Sequence, residues 1–112
     1  MHPFLQNRKL VSHCRAKGVG ITCYMPLAQG RIGADPTMQA IAKQHGATPE
    51  QVSLAYLMDQ DMPVIPSSAN TERLRQNFAS LGVRLTEEDK AQIDTLERGM
   101  RIINPAWSEV WD

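Results

Sequence analysis

The sequence predicts an α/β fold, because segments with apolar residues at helical spacing alternate with short runs of β-compatible residues. Its 112 residues allow one modest domain or part of a larger one. Two short strands separated by long helical crossovers are expected to lie side by side in parallel, not as a hairpin. Since two strands do not make a stable parallel sheet, the pattern also predicts that these strands need further neighbours.

The first third of the chain predicts a helix, a strand and a loop. Apolar spacing favours a helix over 7–17, and Gly18 supplies the glycine that commonly ends one. The run 19–25 is rich in β-compatible residues and favours a buried strand that stops before Pro26. Residues 27–33 are then expected to form a loop at the carboxyl end of that strand.

The middle of the chain predicts two capped helices. Asp35 is expected to cap the first, with Pro36 at its first helical position and Gly46 at its end. Thr48 and Gln51 have the spacing of a capping box and start the second. The expected buried stripes are Met38, Ile41 and Ala42 in the first helix and Val52, Leu54, Ala55, Leu57 and Met58 in the second.

The last part predicts a brief strand, two helices and a tail. Prolines restrict the strand to 62–66, and a polar loop follows over 67–70. A helix is expected from Thr71 and another over 86–99, with an extended tail over 100–112 that contains Trp107 and Trp111. The expected inner residues are Leu74, Phe78 and Leu81 in the earlier helix and Ile93 and Leu96 in the later one.

Composition and charge exclude several functional classes. Lys and Arg number 12 against 12 Asp and Glu, so the positive surplus that nucleic-acid binding needs is missing. No apolar run approaches the roughly 20 residues that span a bilayer, and Met1 to Pro3 do not open a signal peptide. Cys14 and Cys23 have neither disulfide-framework nor metal-site spacing and are interpreted as reduced core residues. We therefore expect a cytoplasmic protein without nucleic-acid or membrane partners.

Arg73 is the residue whose position most directly suggests a ligand. It falls about three residues into a helix, where a positive charge opposes the helix dipole unless an anion is bound there. With backbone N–H groups and the hydroxyls of Ser67 and Ser68, its guanidinium would suit a nucleotide phosphate. A solvent-exposed arginine beside ordinary capping residues remains the alternative from spacing alone.

Tyr24 and the three histidines also have structural interpretations. Tyr24 ends a predicted strand, where it either contacts a ligand or packs in the core with its hydroxyl hydrogen-bonded. His2, His13 and His45 lack the spacing of metal ligands, so they are interpreted as surface or loop histidines. No metal site is expected.

Six short motifs occur in order along the chain: His2-Pro3-Phe4-Leu5-Gln6, Ile21-Thr22-Cys23-Tyr24-Met25-Pro26-Leu27, Thr48-Pro49-Glu50-Gln51-Val52, Val64-Ile65-Pro66-Ser67-Ser68, Glu72-Arg73-Leu74 with Gln76-Asn77-Phe78, and Leu85-Thr86-Glu87-Glu88-Asp89. Together they resemble successive landmarks of the aldo-keto reductase family. The Ile-Pro-Ser-Ser sequence is similar to that of the bacterial 2,5-diketo-D-gluconate reductase branch, whereas most members have Ile-Pro-Lys-Ser.

The resemblance implies an incomplete (β/α)8 TIM barrel, with residues 1–112 forming about the last two βα units and the tail. The whole enzyme would use NADP(H) to reduce a small ketone or aldehyde, such as 2,5-diketo-D-gluconate or a similar dicarbonyl. The family's catalytic Asp, Tyr, Lys and His fall in the earlier part, so no catalytic residue is assigned here and the isolated chain is expected to be inactive. The alternative is a non-catalytic half-barrel module whose exposed strand edges pair with another copy or another polypeptide.

The resemblance also assigns site residues. Tyr24 would stack on the nicotinamide, and the loop of Pro26, Leu27 and Ala28, followed by Gln29 and Gly30, would cover the pyrophosphate. Ser67, Ser68, Asn70 and Arg73 correspond to the residues around the 2′-phosphate, with Ser67 replacing the usual lysine and so weakening the preference for NADPH. Gln76 and Asn77 would lie near the adenosine, and Trp107 would line the substrate opening.

Overall fold

The computed structural model describes residues 1–109; positions 110–112, which include Trp111 of the predicted tail, lie outside the described residues. Within that part, each predicted helix is present, and a 3₁₀ segment replaces the predicted loop over most of 27–33. The elements are α1 (Arg8–Ala16), the 3₁₀ segment (Ala28–Ala34), α2 (Pro36–Gln44), α3 (Pro49–Met58), α4 (Thr71–Ala79), a short 3₁₀ turn (Ser80–Gly82) and α5 (Glu87–Asp94).

Side-chain caps fix the starts of α2 and α3, as predicted, and also those of α4 and α5. The Asp35 carboxylate accepts hydrogen bonds from two backbone N–H groups in the first turn of α2, at 3.0 and 3.1 Å. Thr48 with Gln51 and Thr86 with Asp89 form complete capping boxes at α3 and α5. Each cap satisfies N–H groups that would otherwise lack a partner, which stabilises a helix start by about 1 kcal/mol.

The two predicted strands do not form as strands. Cys23 and Val64 share a single parallel bridge, in which the Cys23 N–H donates to Pro63 O at 2.7 Å. Parallel adjacency is therefore confirmed, but the predicted extents of 19–25 and 62–66 are wrong. Within residues 1–109 these two segments make this one bridge, and proline has no N–H to extend the ladder. In place of a sheet, residues 1–109 have helices packed around the parallel Cys23–Val64 bridge.

The hydrophobic core lies between α2, α3 and the 3₁₀ segment. Ile32, Met38 and Leu57 have almost no exposed surface. Phe4 is completely buried at one end of this core, and the guanidinium of Arg98 lies 3.7 Å from the centre of its ring. Helix α3 also packs against α4, and Gln51 in the first turn of α3 donates from Nε2 to Gln76 O of α4 at 2.9 Å.

Helix α4 lacks the predicted buried stripe. Leu74 and Phe78 are 47% and 76% exposed, and Leu81 in the following 3₁₀ turn is 52% exposed. The helix has the predicted amphipathic spacing, but the described residues 1–109 place nothing over its apolar side. Burial depends on a neighbouring element, which periodicity alone does not supply.

Helix α5 is shorter than predicted and is tied to the end of α2. It ends at Asp94 and does not continue to Gly99. Beyond the end of α2, the His45 Nε2 lies 2.7 Å from the Asp89 Oδ2. Burial by itself raises the pKa of Asp89, but hydrogen bonds from Thr86 and His45 outweigh it, so the pKa lies below the usual value.

Cys23 and His2 are both buried in the structure. Cys14 and Cys23 are both free, and Cys23 is buried in the core. His2 lies in a tight turn but is buried, so the surface interpretation is wrong for this residue. Burial, followed by repulsion from the nearby amino terminus, lowers the pKa of His2 to about 4. None of the helices within 1–109 has the length and apolar character needed to cross a bilayer.

Candidate functional site

A cavity of about 540 Å³ opens where the chain leaves the Cys23–Val64 bridge. One wall is the cavity loop, residues 25–30, and another is the segment 65–68. Helix α4 and the first turn of α3 complete it. In parallel α/β folds, ligands bind at the carboxyl ends of the strands because the connecting loops converge there. The volume is in the range typical of small-ligand sites.

Most of the residues named from the sequence meet in this cavity. It is lined by Pro26, Leu27, Ser67, Ser68, Arg73, Gln76 and Asn77 among the predicted residues, together with Gln29 and Gly30. Ala28 is fully buried behind the loop, and Asn70 serves as the side-chain cap of α4. Sequence reasoning missed four lining residues. Met25, Ile65 and Pro66 lie within two positions of predicted residues in the chain, whereas Glu50 comes from a different element, α3.

The cavity loop is held in a strained backbone shape. Met25, Ala28 and Gln29 have φ angles of 52°, 49° and 54°, in the left-handed region. That region costs a residue with a Cβ roughly 1–2 kcal/mol. The buried Ser53 of α3 fixes the loop, because its hydroxyl donates to Pro26 O at 2.7 Å. Strain of this kind persists where packing over-determines it, and it is concentrated at ligand sites.

The turn before α4 directs Arg73 into the cavity. The Asn70 Oδ1 accepts a hydrogen bond from the Arg73 N–H at 3.0 Å, and the Asn70 N–H donates to Ser68 Oγ at 3.0 Å. Within residues 1–109, the guanidinium of Arg73 has no carboxylate or other hydrogen-bond acceptor. An uncommitted guanidinium in the first turn of a helix, facing a cavity, favours an anionic ligand.

A second cavity, of about 410 Å³, has two arginines that are already engaged. The Arg8 guanidinium donates to Gln6 Oε1 at 2.8 Å and to Asp94 O at 2.9 Å. The Arg15 guanidinium donates to Gln60 O at 2.8 Å. The first cavity is therefore the stronger candidate for an anion, because its cation is not paired within the chain.

Glu50 lies in the cavity wall across from α4. It is the second residue of α3, and its Oε1 would be 2.7 Å from a Cβ placed on Gly33. Its carboxylate has no hydrogen-bond or ion-pair partner in the part of the chain that the structure describes. The only sequence signal is its place after Pro49 in a capped helix start, which is typical of helix capping and does not indicate a ligand.

Tyr24 and Trp107 lie outside this cavity. Tyr24 is 53% exposed and lines a small neighbouring hollow with Arg101 and Ile102, so the interpretation as a packed core tyrosine is wrong. Trp107 is 87% exposed in the tail. Both rings are therefore accessible to a ligand or to another part of a larger protein.

The groups that line the cavity determine what it can bind. It offers one guanidinium, two hydroxyls, three carboxamides and the Glu50 carboxylate, a set suited to a phosphorylated ligand with further hydrogen-bonding groups. Among residues 1–109, the structure groups no three His, Cys, Asp or Glu side chains as metal ligands.

Comparisons with known proteins give the family. The model of the Aldo/keto reductase family matches residues 1–98. Methylglyoxal reductase DkgB from Yersinia pestis is 40% identical over 113 residues, which cover 100% of this chain and 42% of that protein. The protein of the same name from Salmonella typhi is 41% identical over the same shares.

A solved structure agrees with this comparison. A crystal structure provisionally assigned as a 2,5-diketo-D-gluconic acid reductase B is 36% identical and superposes with a TM-score of 0.95, covering 100% of this chain and 41% of that one. The chain thus spans about two fifths of the length of the curated relatives that it matches.

Proposed function

The chain belongs to the aldo/keto reductase family, and on this premise we propose that it forms the NADP(H)-binding C-terminal part of a (β/α)8 reductase. It would supply about the last two βα units and the tail. The observation that carries the proposal is the guanidinium of Arg73, which lines the cavity and has no partner within the described residues. A free cation at this position is costly unless an anion binds.

The adenosine end of NADP(H) fits the turn before α4 and the cavity-lining residues of that helix. Arg73 would hold the 2′-phosphate through charge-assisted hydrogen bonds, and the hydroxyls of Ser67 and Ser68 would donate to it. Gln76 and Asn77, one turn further along α4, would lie beside the adenosine. Because Ser67 stands where most family members have lysine, one cation is missing and the preference for NADPH over NADH should be weaker.

The cavity loop and Tyr24 would hold the rest of the dinucleotide. Pro26 and Leu27 line the cavity where the pyrophosphate would pass, and the buried Ala28 supports the loop from behind. The exposed ring of Tyr24 offers a face on which the nicotinamide would stack. When bound, NADP(H) supplies the hydride, while these residues contribute binding and orientation. Trp107 would line the substrate opening.

The substrate class is inferred from the names of the relatives. Methylglyoxal and 2,5-diketo-D-gluconic acid both carry two carbonyl groups, so a small dicarbonyl is the proposed substrate of the complete enzyme. The catalytic Asp, Tyr, Lys and His of the family belong to the part of the barrel that this chain does not match. The isolated chain should therefore bind the cofactor without reducing a substrate, and a cytoplasmic location suits this chemistry.

The exposed side of α4 supports the proposal that further barrel elements pack here. Leu74, Phe78 and Leu81 present a continuous apolar stripe, and burying one such side chain stabilises a fold by about 1.5–3 kcal/mol. Without those elements, the same surface would favour self-association of the chain. A non-catalytic module that pairs with itself would use this stripe as well. Such pairing does not explain why the Arg73 guanidinium faces the cavity without a partner among the described residues.

Three measurements test the proposal. Fluorescence titration of the purified chain with NADPH should show saturable binding, while mixing with methylglyoxal should give no NADPH oxidation. Joining the chain to the N-terminal part of the Yersinia pestis methylglyoxal reductase should then give NADPH-dependent turnover. A stable dimer that binds no nucleotide would favour the module instead, and turnover by the isolated chain would contradict the assignment of the catalytic groups.

A further inference from the structure

The carboxylate of Glu50 occupies a defined place in the cavity wall. Thr48 caps α3 and fixes its first turn, so the position of the Glu50 backbone is set by the capping box. The side chain passes over Gly33, where any Cβ would meet Glu50 Oε1 at 2.7 Å. Gly33 thus leaves the space that the carboxylate fills at the edge of the cavity.

A hydrogen bond between α3 and α4 locates the first turn of α3 along the cavity. The residue after it, Gln51, donates from Nε2 to Gln76 O at 2.9 Å. Gln76 is three residues beyond Arg73, which is about 4.5 Å along the helix axis. The first turn of α3, which carries Glu50, is therefore joined to the Gln76 turn of α4, whereas Arg73 marks the phosphate end. A nucleotide with its phosphate at Arg73 would place its base between these side chains.

The chemistry of that end is selective. An ionised carboxylate accepts hydrogen bonds and donates none, and the described residues give Glu50 no donor. Adenine presents an exocyclic amine, which is a donor, while hypoxanthine presents a carbonyl oxygen at the same position. A carboxylate would bind the first and repel the second. Asn77, with both a donor and an acceptor, discriminates less.

We propose that Glu50 is a specificity-determining residue that accepts the exocyclic amine of adenine and so selects adenine over hypoxanthine in the bound dinucleotide. This assignment rests on the proposed function, because it requires the phosphate to lie at Arg73. It adds a side chain from α3, an element from which sequence reasoning took no site residue.

The test compares the affinity of the chain for NADPH with its affinity for the analogue in which hypoxanthine replaces adenine. A hydrogen bond to a charged group predicts about tenfold tighter binding of NADPH. Glu50→Gln should reduce the ratio to below about threefold, because a carboxamide can turn its N–H toward a carbonyl. Gly33→Ala should also reduce it, since the added Cβ displaces the carboxylate without removing its charge. Glu88→Gln is the matched control, because Glu88 is an exposed residue of α5 outside the cavity, and it should leave the ratio unchanged.

The outcomes separate this assignment from the proposed function. If Glu50→Gln keeps the wild-type ratio within twofold while Arg73→Ala still weakens NADPH binding, Glu50 does not read the base and only this assignment is overturned. If Arg73→Ala leaves NADPH binding unchanged, the nucleotide orientation is wrong and the proposed function falls with it. If the preference for NADPH over the hypoxanthine analogue falls in both Glu50→Gln and Gly33→Ala and keeps its wild-type value in Glu88→Gln, the assignment is supported.

Discussion

Replacing Arg73 by alanine should weaken NADPH binding much more than NADH binding. A hydrogen bond to a charged group contributes about 1.5–3 kcal/mol, which corresponds to roughly a 10- to 100-fold change in Kd. Because Arg73 is exposed at the cavity mouth, solvent screening favours the lower part of that range, about tenfold. NADH has no 2′-phosphate, so its Kd should change by less than about threefold.

Isothermal titration calorimetry of both dinucleotides at low and high salt measures this difference. Added salt screens exposed charges, so the advantage of NADPH over NADH should shrink as ionic strength rises. Arg75→Ala is the matched control, because Arg75 lies on the same helix but does not line the cavity, and its guanidinium is 3.9 Å from Glu72. That variant should bind NADPH as the wild type does.

Two results would refute the reasoning about Arg73. If Arg75→Ala weakens NADPH binding as much as Arg73→Ala does, the effect comes from the net charge of α4 and not from a specific phosphate contact. If Arg73→Ala weakens NADPH and NADH equally, the guanidinium contacts a part that the two dinucleotides share, and the 2′-phosphate assignment is wrong.

Three further predictions concern stability and association. His45→Ala removes the 2.7 Å contact with the buried Asp89 and should cost about 1–2 kcal/mol, lowering the midpoint of thermal unfolding by several degrees in circular dichroism; a shift below about 2 °C would contradict it. His2, with a folded pKa of about 4 against an ordinary value of 6.5, stays neutral while the unfolded chain takes up a proton. Urea titrations should therefore show the free energy of unfolding falling by up to about 3 kcal/mol between pH 6.5 and pH 4, and a His2→Phe variant that keeps this slope would exclude His2 as its source. Phe78→Ser should change stability by less than about 0.5 kcal/mol, because the ring is 76% exposed, and should reduce self-association in sedimentation velocity; unchanged sedimentation would show that the α4 stripe is not the contact surface.

The helix starts could be predicted because their causes are local. Asp35, Thr48 and Thr86 each satisfy N–H groups within the next few residues, so the sequence contains both partners of every cap. The strands could not be predicted in the same way. Cys23 and Val64 pair across 40 intervening residues, and whether a ladder extends from them depends on further neighbours that the described chain does not offer.

The candidate site shows the same division between local and distant causes. Arg73 was singled out because its position near a helix start is electrostatically unfavourable, and the family resemblance then favoured a bound phosphate over an exposed arginine. Glu50 was missed because its place in the cavity wall depends on how α3 packs against the 3₁₀ segment and α4. Phe78 and its neighbours were assigned to a core because the helical period gives the apolar side but not what covers it.

Mapping of backbone amide shifts by ¹H–¹⁵N NMR during NADPH titration tests the central claim most directly. The account predicts saturable shifts of the amides of Ser68, Asn70, Arg73 and the cavity loop, with those around Arg8 and Arg15 unchanged. Shifts centred on Arg8 and Arg15, or no saturable shift at any NADPH concentration, would contradict it.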